Sequence, residues 1–142
     1  MSRVYFYAAK FAQKVLDQAH LNIYKNHVIR INQQAQILIN SATDGIRAGV
    51  IVPDARRYAE SLHNFAVQYT GLVMQTTPPD INQLKALYKE IIGLYNILSK
   101  HYIDPKFEPM KKIRESLFYI GKQGPVDMFT AGVDTNISQP AV

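Results

Sequence analysis

Apolar residues recur along this chain at spacings of three and four, the period of helices that each bury one face. Val4, Tyr5, Ala8, Ala12, Val15, Leu16, Ala19 and Ile23 predict a helix over residues 3–25. From Val28 the pattern restarts as Val28, Ile31, Ala35, Leu38 and Ala42, rotated by roughly 140° from the first stripe at 3.6 residues per turn. One straight helix cannot bury both stripes against one neighbour. A break near Lys25-Asn26-His27 is therefore expected, giving a helix-turn-helix hairpin that Gly45 and Gly49 end.

Pro53-Asp54 marks the next helix start, followed by an apolar stripe through Tyr58, Leu62, Phe65, Tyr69 and Leu72 or Val73. Thr76 to Pro79 interrupt the chain, and Asp80 is placed to cap a helix lined by Leu84, Leu87, Tyr88, Ile91, Tyr95, Leu98 and Tyr102. After two Pro-marked stops at Pro105 and Pro109, Met110, Ile113, Leu117 and Ile120 predict a short last helix that Gly121 can cap. Lys122 to Val142 show neither period and should lack order alone, although Val126, Met128, Phe129, Val133 and Ile137 suit ordering against a neighbouring subunit. The expected fold is all-α: a basic N-terminal helix-turn-helix hairpin (1–50), a C-terminal helical bundle (51–121) and a flexible or assembly-ordered tail (122–142).

Charge changes this picture at one end. The first 57 residues hold eight of the 16 lysines and arginines but only three of the 11 acids, a formal +5, while residues 58–142 sum to zero. On a helix over 3–25, Arg3, Lys10, Lys14 and Lys25 fall within an arc of about 60°, and Tyr7 lies on the same side, where its hydroxyl can reach a phosphate or its ring can rest on lysine stems. No charge occurs between Ile31 and Thr43. The outer side there carries Asn32, Gln33, Gln34, Gln36, Asn40 and Ser41, flanked by Arg30 and Arg47. Such amides bond sugars and phosphates, and an ordinary solvated face uses the same residues.

Candidate chemistry is sparse. The chain has no cysteine, which excludes structural disulfides, thiolate zinc sites and a cysteine nucleophile. His20, His27, His63 and His101 match no metal-ligand spacing, and Asp17 with His20 reads as a structural or surface pair. Gly45 to Gly49 lacks the lysine and preceding strand of a phosphate loop, and no nucleophile elbow is present. The expectation is a non-enzyme without metal or cofactor. No apolar run reaches the length of a membrane span.

Residues Ser2 to Lys14, SRVYFYAAKFAQK, are similar to the aromatic-basic opening helix of the major coat proteins of filamentous and rod-shaped archaeal viruses, and Leu94 to Pro105, LYNILSKHYIDP, resembles that family's helix-to-proline junction. The resemblance covers the layout of most of the chain. It implies a virion protein whose hairpins wrap double-stranded DNA in an A-like form, by self-assembly or with a paralogous coat subunit. It further implies that Arg3, Lys10, Lys14, Lys25 and Arg30 neutralise phosphates, with Gln33, Gln36, Asn40 and Arg47 as secondary contacts. Arg56 and Arg57 suit either surface. The family's opening is Gly- or Ser-rich before the helix, whereas here Val4-Tyr5-Phe6 follow almost at once. Two other readings fit the same residues: a helical adaptor docking through the alanine-rich hairpin, and a subunit of a larger nucleoprotein complex.

Overall fold

A computed structural model describes residues 3–5, 15–47, 49 and 53–137. Among them are two short strands, β1 (Arg3–Tyr5) and β2 (Val15–Asp17), and four helices: α1 (Gln18–Arg47), α2 (Pro53–Met74), α3 (Ile81–His101) and α4 (Glu108–Gln123). The strands pair antiparallel with Arg3 opposite Asp17, Val4 opposite Leu16 and Tyr5 opposite Val15. The fold is all-helical apart from this ribbon, as the apolar periods predict.

The opening departs from expectation in two ways. Residues 3–5 and 15–17 are strand, and the first helix among the described residues starts at Gln18. Asp17 sets that start: its Oδ1 accepts the backbone N–H of His20 at 2.8 Å, the bond of an N-cap residue to the third helical position. Those bonds from His20 hold the Asp17 carboxyl below its ordinary pKa. The second difference is that no break occurs at Lys25-Asn26-His27. Leu21 and Tyr24 extend the stripe of Val28, Ile31, Ala35, Leu38 and Ala42 backwards at the same alternating spacing, and all seven are buried. With neither Gly nor Pro in residues 18–44, nothing interrupts one helix. Ile23, assigned to the other stripe by sequence, is 43% exposed.

The N-terminal helical hairpin is consequently α1 with α2, turning after Arg47 rather than at residues 25–27. Asn32 and Thr70 share a hydrogen bond of 3.5 Å across it, which fixes an antiparallel register. In that register Ala35 falls opposite Ala66, Ala42 opposite Ala59 and Gly45 opposite Ala55, all buried. Small residues on both sides let the two backbones approach closely. The α2 stripe is accordingly centred on Ala55, Ala59, Leu62, Ala66, Tyr69 and Val73, while Tyr58, Phe65 and Leu72 sit partly buried at its margin.

The same stripe of α1 also meets α4, which runs antiparallel to it: His27 reaches Ser116 and Tyr119, and Arg30 reaches Glu115. α3 closes the bundle with the face its periodicity predicts, and Asp80 caps it by accepting from Asn82 N at 2.9 Å. Tyrosines span the wider gaps. Tyr24 and Tyr69 hydroxyls lie 3.2 Å apart, and Tyr88 donates to the Leu117 carbonyl at 2.7 Å. Val28, Ile31, Tyr69, Tyr88 and Leu117 border a void of about 10 Å³, at the lower limit for one water molecule. All four helices contribute to one core, in which the buried stripe of α1 packs with residues of α2, α3 and α4.

The last helix runs past Gly121 to Gln123, so Gly121 is not its cap. Gly121 is buried where a Cβ would meet the Tyr88 hydroxyl, with Phe129 only 3.0 Å away. Beyond α4 the chain turns back on its own subunit. Met128 N–H bonds the Gly121 carbonyl at 2.8 Å, Asn96 donates to the Asn136 carbonyl at 2.8 Å, and Val126, Met128 and Ile137 are buried. Residues 124–137 thus pack on α3 and α4 without a neighbouring subunit, contrary to the expected free tail. Their apolar side chains reach the core because Asp127, bonded to Phe129 N and Thr130 N, forms the intervening turn.

Two glycines give opposite expectations. Gly121→Ala displaces the Tyr88 hydroxyl and should cost about 1–3 kcal/mol, whereas Gly71→Ala, in open space on exposed α2, should stabilise by about 0.4–1 kcal/mol. Urea unfolding of the two variants measures both, and a tolerated Gly121→Ala would contradict the packing described.

Candidate nucleic-acid interface

The unbroken α1 rearranges the candidate residues. Arg3 lies on β1 and Lys25 on α1, so they do not share a helix face as expected. Tyr7, Lys10 and Lys14 lie outside the described residues, and Arg3 and Arg47 are placed by backbone alone. Counting around one continuous helix, Lys25, Gln33, Gln36, Asn40 and the Arg47 position occupy a single arc of about 80° and run for about 33 Å. This arc lies opposite the buried stripe. Gln33, Gln36 and Asn40 are exposed and Lys25 is partly so.

The stripe has internal order. Gln36 Nε2 donates to Asn40 Oδ1 at 3.2 Å, and one turn from the start of α1 Gln18 Nε2 donates to Asn22 Oδ1 at 2.9 Å. Asn22 falls on the same arc as Gln33 and Asn40, and sequence reasoning missed it because the supposed break at residues 25–27 put it on another helix. Reading the Leu21 to Ala42 period through would have found it. Ile29, half-buried, interrupts the polar residues, and exposed Asp44 lies about 20° beyond the arc's edge. No acidic side chain of α1 lies inside it.

Arg30 does not belong to this surface. It projects about 60–140° away around the helix, on the side of α4, where its Nη2 lies 3.0 Å from Glu115 Oε1. Arg56 pairs with Glu60 at 3.8 Å and Arg57 with Asp54 at 3.4 Å, with the Arg57 guanidinium over the Tyr58 ring. These two arginines therefore sit within local ion pairs on α2.

Beside Arg30, His27 is wedged between α1 and α4. Its Nδ1 shares a 3.0 Å hydrogen bond with the buried Ser116 hydroxyl, and its ring stacks on Tyr119 with centroids 4.3 Å apart. Burial, and then the Arg30 charge, hold its pKa below the ordinary 6.5, with Glu115 opposing. Among the described residues no group of three or more His, Asp or Glu side chains is arranged to hold a metal ion, and no helix is long and apolar enough to cross a membrane. No family model matches the chain, and comparisons with curated proteins and with solved structures found no match.

Because the folded His27 resists protonation, the unfolded chain binds more protons below about pH 6.5, and stability should fall as pH is lowered through that value. Urea midpoints between pH 7.5 and 5.5 should show the fall, and His27→Gln should flatten it. An equally steep profile in that variant would assign the effect to another group.

Proposed function

We propose that this chain is a structural coat subunit that packages double-stranded DNA without sequence specificity in a helical filament, in the manner of the major coat proteins of filamentous archaeal viruses, and that it resides in the virion. One observation carries the reading: the outward face of α1 presents Lys25, Gln33, Gln36 and Asn40 in one stripe about 22 Å long, with no acidic residue of that helix inside it. Amides and cations spread along a straight rod suit phosphates and sugars better than base edges, because they contact a repeating backbone and read no base pattern. Arg3, Tyr7, Lys10 and Lys14, taken from the sequence as part of the same contact, add cations and a hydroxyl. Each contact is weak alone. Repetition along a filament multiplies them, since neighbours raise the effective concentration of every subunit.

The rigid backing matters to this mechanism. α1 is clamped along its length by α2 and α4, so its outer face is a preformed surface that does not have to order on binding. A second reading, a helical adaptor, draws on Ile23 and Ile37, which are 43% and 42% exposed on the same helix. In the coat reading these side chains lie beside the DNA track, where a neighbouring subunit covers them.

Duplexes of unrelated sequence should bind with similar affinity, and the logarithm of that affinity should fall linearly with the logarithm of salt concentration. Reversal of Lys10, Lys14 and Lys25 to Glu should abolish binding while leaving the unfolding free energy, measured in urea, within about 0.5 kcal/mol of the parent. Electron micrographs of protein with DNA should show regular filaments. A flat salt response or one strongly preferred sequence would overturn the phosphate-contact mechanism, and a charge-reversed protein that still assembles on DNA would move the contact elsewhere.

A further inference from the structure

A second basic feature lies away from the α1 stripe. Pro105, Lys106, Lys111, Arg114 and Glu115 line a pocket of about 160 Å³ where the turn after α3 meets the first two turns of α4. That volume is well beyond the ~10–15 Å³ that one water requires. Local chemistry brings the cations together. Asp104 Oδ1 accepts from Lys106 N at 2.9 Å and the Asp104 carbonyl accepts from Phe107 N at 2.9 Å, turning Lys106 back toward the helix. Lys111 and Arg114 are one turn apart on α4 and therefore share its face.

The carboxylates nearby are already engaged. Glu115 is held at 3.0 Å by Arg30 of α1, and Glu108 meets Lys111 only at 3.9 Å with both side chains more than half exposed. Four cations, Arg30, Lys106, Lys111 and Arg114, thus surround the pocket and its rim against three carboxylates, Asp104, Glu108 and Glu115. Arg114 is preorganised: its guanidinium stacks over Phe118 at 5.0 Å and its Nε is buried. A planar guanidinium fixed beside two mobile ammonium groups is the donor set for a tetrahedral oxyanion, with Arg giving direction and Lys giving charge.

We propose that this pocket binds a phosphate group, with Arg114 as the fixed donor and Lys106 and Lys111 as the closing cations. Under the DNA-coating reading, on which the choice of source rests, the phosphate belongs to a duplex backbone reached from the α4 side of the subunit. One subunit then touches nucleic acid along α1 and again at the start of α4, so neighbouring turns or neighbouring duplex segments are bridged. Arg30 links the two regions, because its ion pair with Glu115 offsets the one carboxylate that lines the pocket.

The test uses the full chain and two probes. Inorganic phosphate should produce saturable amide shifts at Lys106, Lys111 and Arg114 by NMR, and these should vanish in the double variant Lys106→Ala, Lys111→Ala, whose altered side chains are exposed and outside the core. Absence of saturable shifts in the parent, or equal shifts in the variant, would overturn the site. A second arm measures duplex affinity against salt. A slope made shallower by about one to two in the double variant identifies the backbone phosphate as the source, at about 0.9 per contact. An unchanged slope with intact phosphate shifts identifies free phosphate instead. If the parent binds no duplex while phosphate still saturates the pocket, the coat reading fails and the phosphate site stands. Arg114→Lys should weaken the phosphate shifts several-fold with the fold intact, since an ammonium lacks the planar fork.

Discussion

The structure depends on one constraint: a 30-residue helix has a single apolar stripe and must bury it against two neighbours at once. The stripe from Leu21 to Ala42 is narrow, and its second half carries alanine at Ala35 and Ala42. Alanine lets α2 come close on one side, while the larger Tyr24, Val28, Ile31 and Leu38 fill the space shared with α4. Widening this stripe would have cost α1 its polar outer face. Its narrowness is what allows one helix to serve as a wall of the core and as a continuous solvent-facing surface.

From that constraint the functional arrangement follows. Packed on two sides, α1 runs as one continuous helix, and that continuity puts Lys25 on one arc with Gln33, Gln36 and Asn40. The edge that faces α4 has different chemistry. His27 and Arg30 are there drawn into contacts with Ser116, Tyr119 and Glu115, so a cation that composition counts as available is spent within the subunit. Local ion pairs on α2 similarly occupy Arg56 and Arg57. Net charge therefore overstates what a partner meets, and position on the helix decides which cations remain outward.

Much of the bundle was legible because α3 and α4 each carry one strong period with no competing choice. Asp80 and Pro53 announce helix starts by local chemistry that needs no tertiary partner. The opening was harder. Residues 3–25 fit a helical period, yet residues 3–5 and 15–17 pair as β1 and β2, and Asp17 caps a helix that includes only the end of that stretch. Alternating and helical patterns overlap in short segments rich in aromatic and β-branched residues, and pairing between distant residues settles the choice. The chain beyond α4 misled for a related reason: its composition is that of a free tail, but Met128 and Ile137 find cover on their own subunit.

By itself the sequence determined the amphipathic faces of α2, α3 and α4, the Asp80 cap, the absence of cysteine chemistry and the gathering of positive charge near one end, because each of these is local or compositional. Only the tertiary structure decided that α1 runs unbroken, that Arg30 turns inward to Glu115, that Gly121 makes room for Tyr88, and that Lys106, Lys111 and Arg114 meet around one pocket. Those outcomes rest on which faces come into contact. Periodicity sets which residues share a face, and packing between helices sets what each face meets.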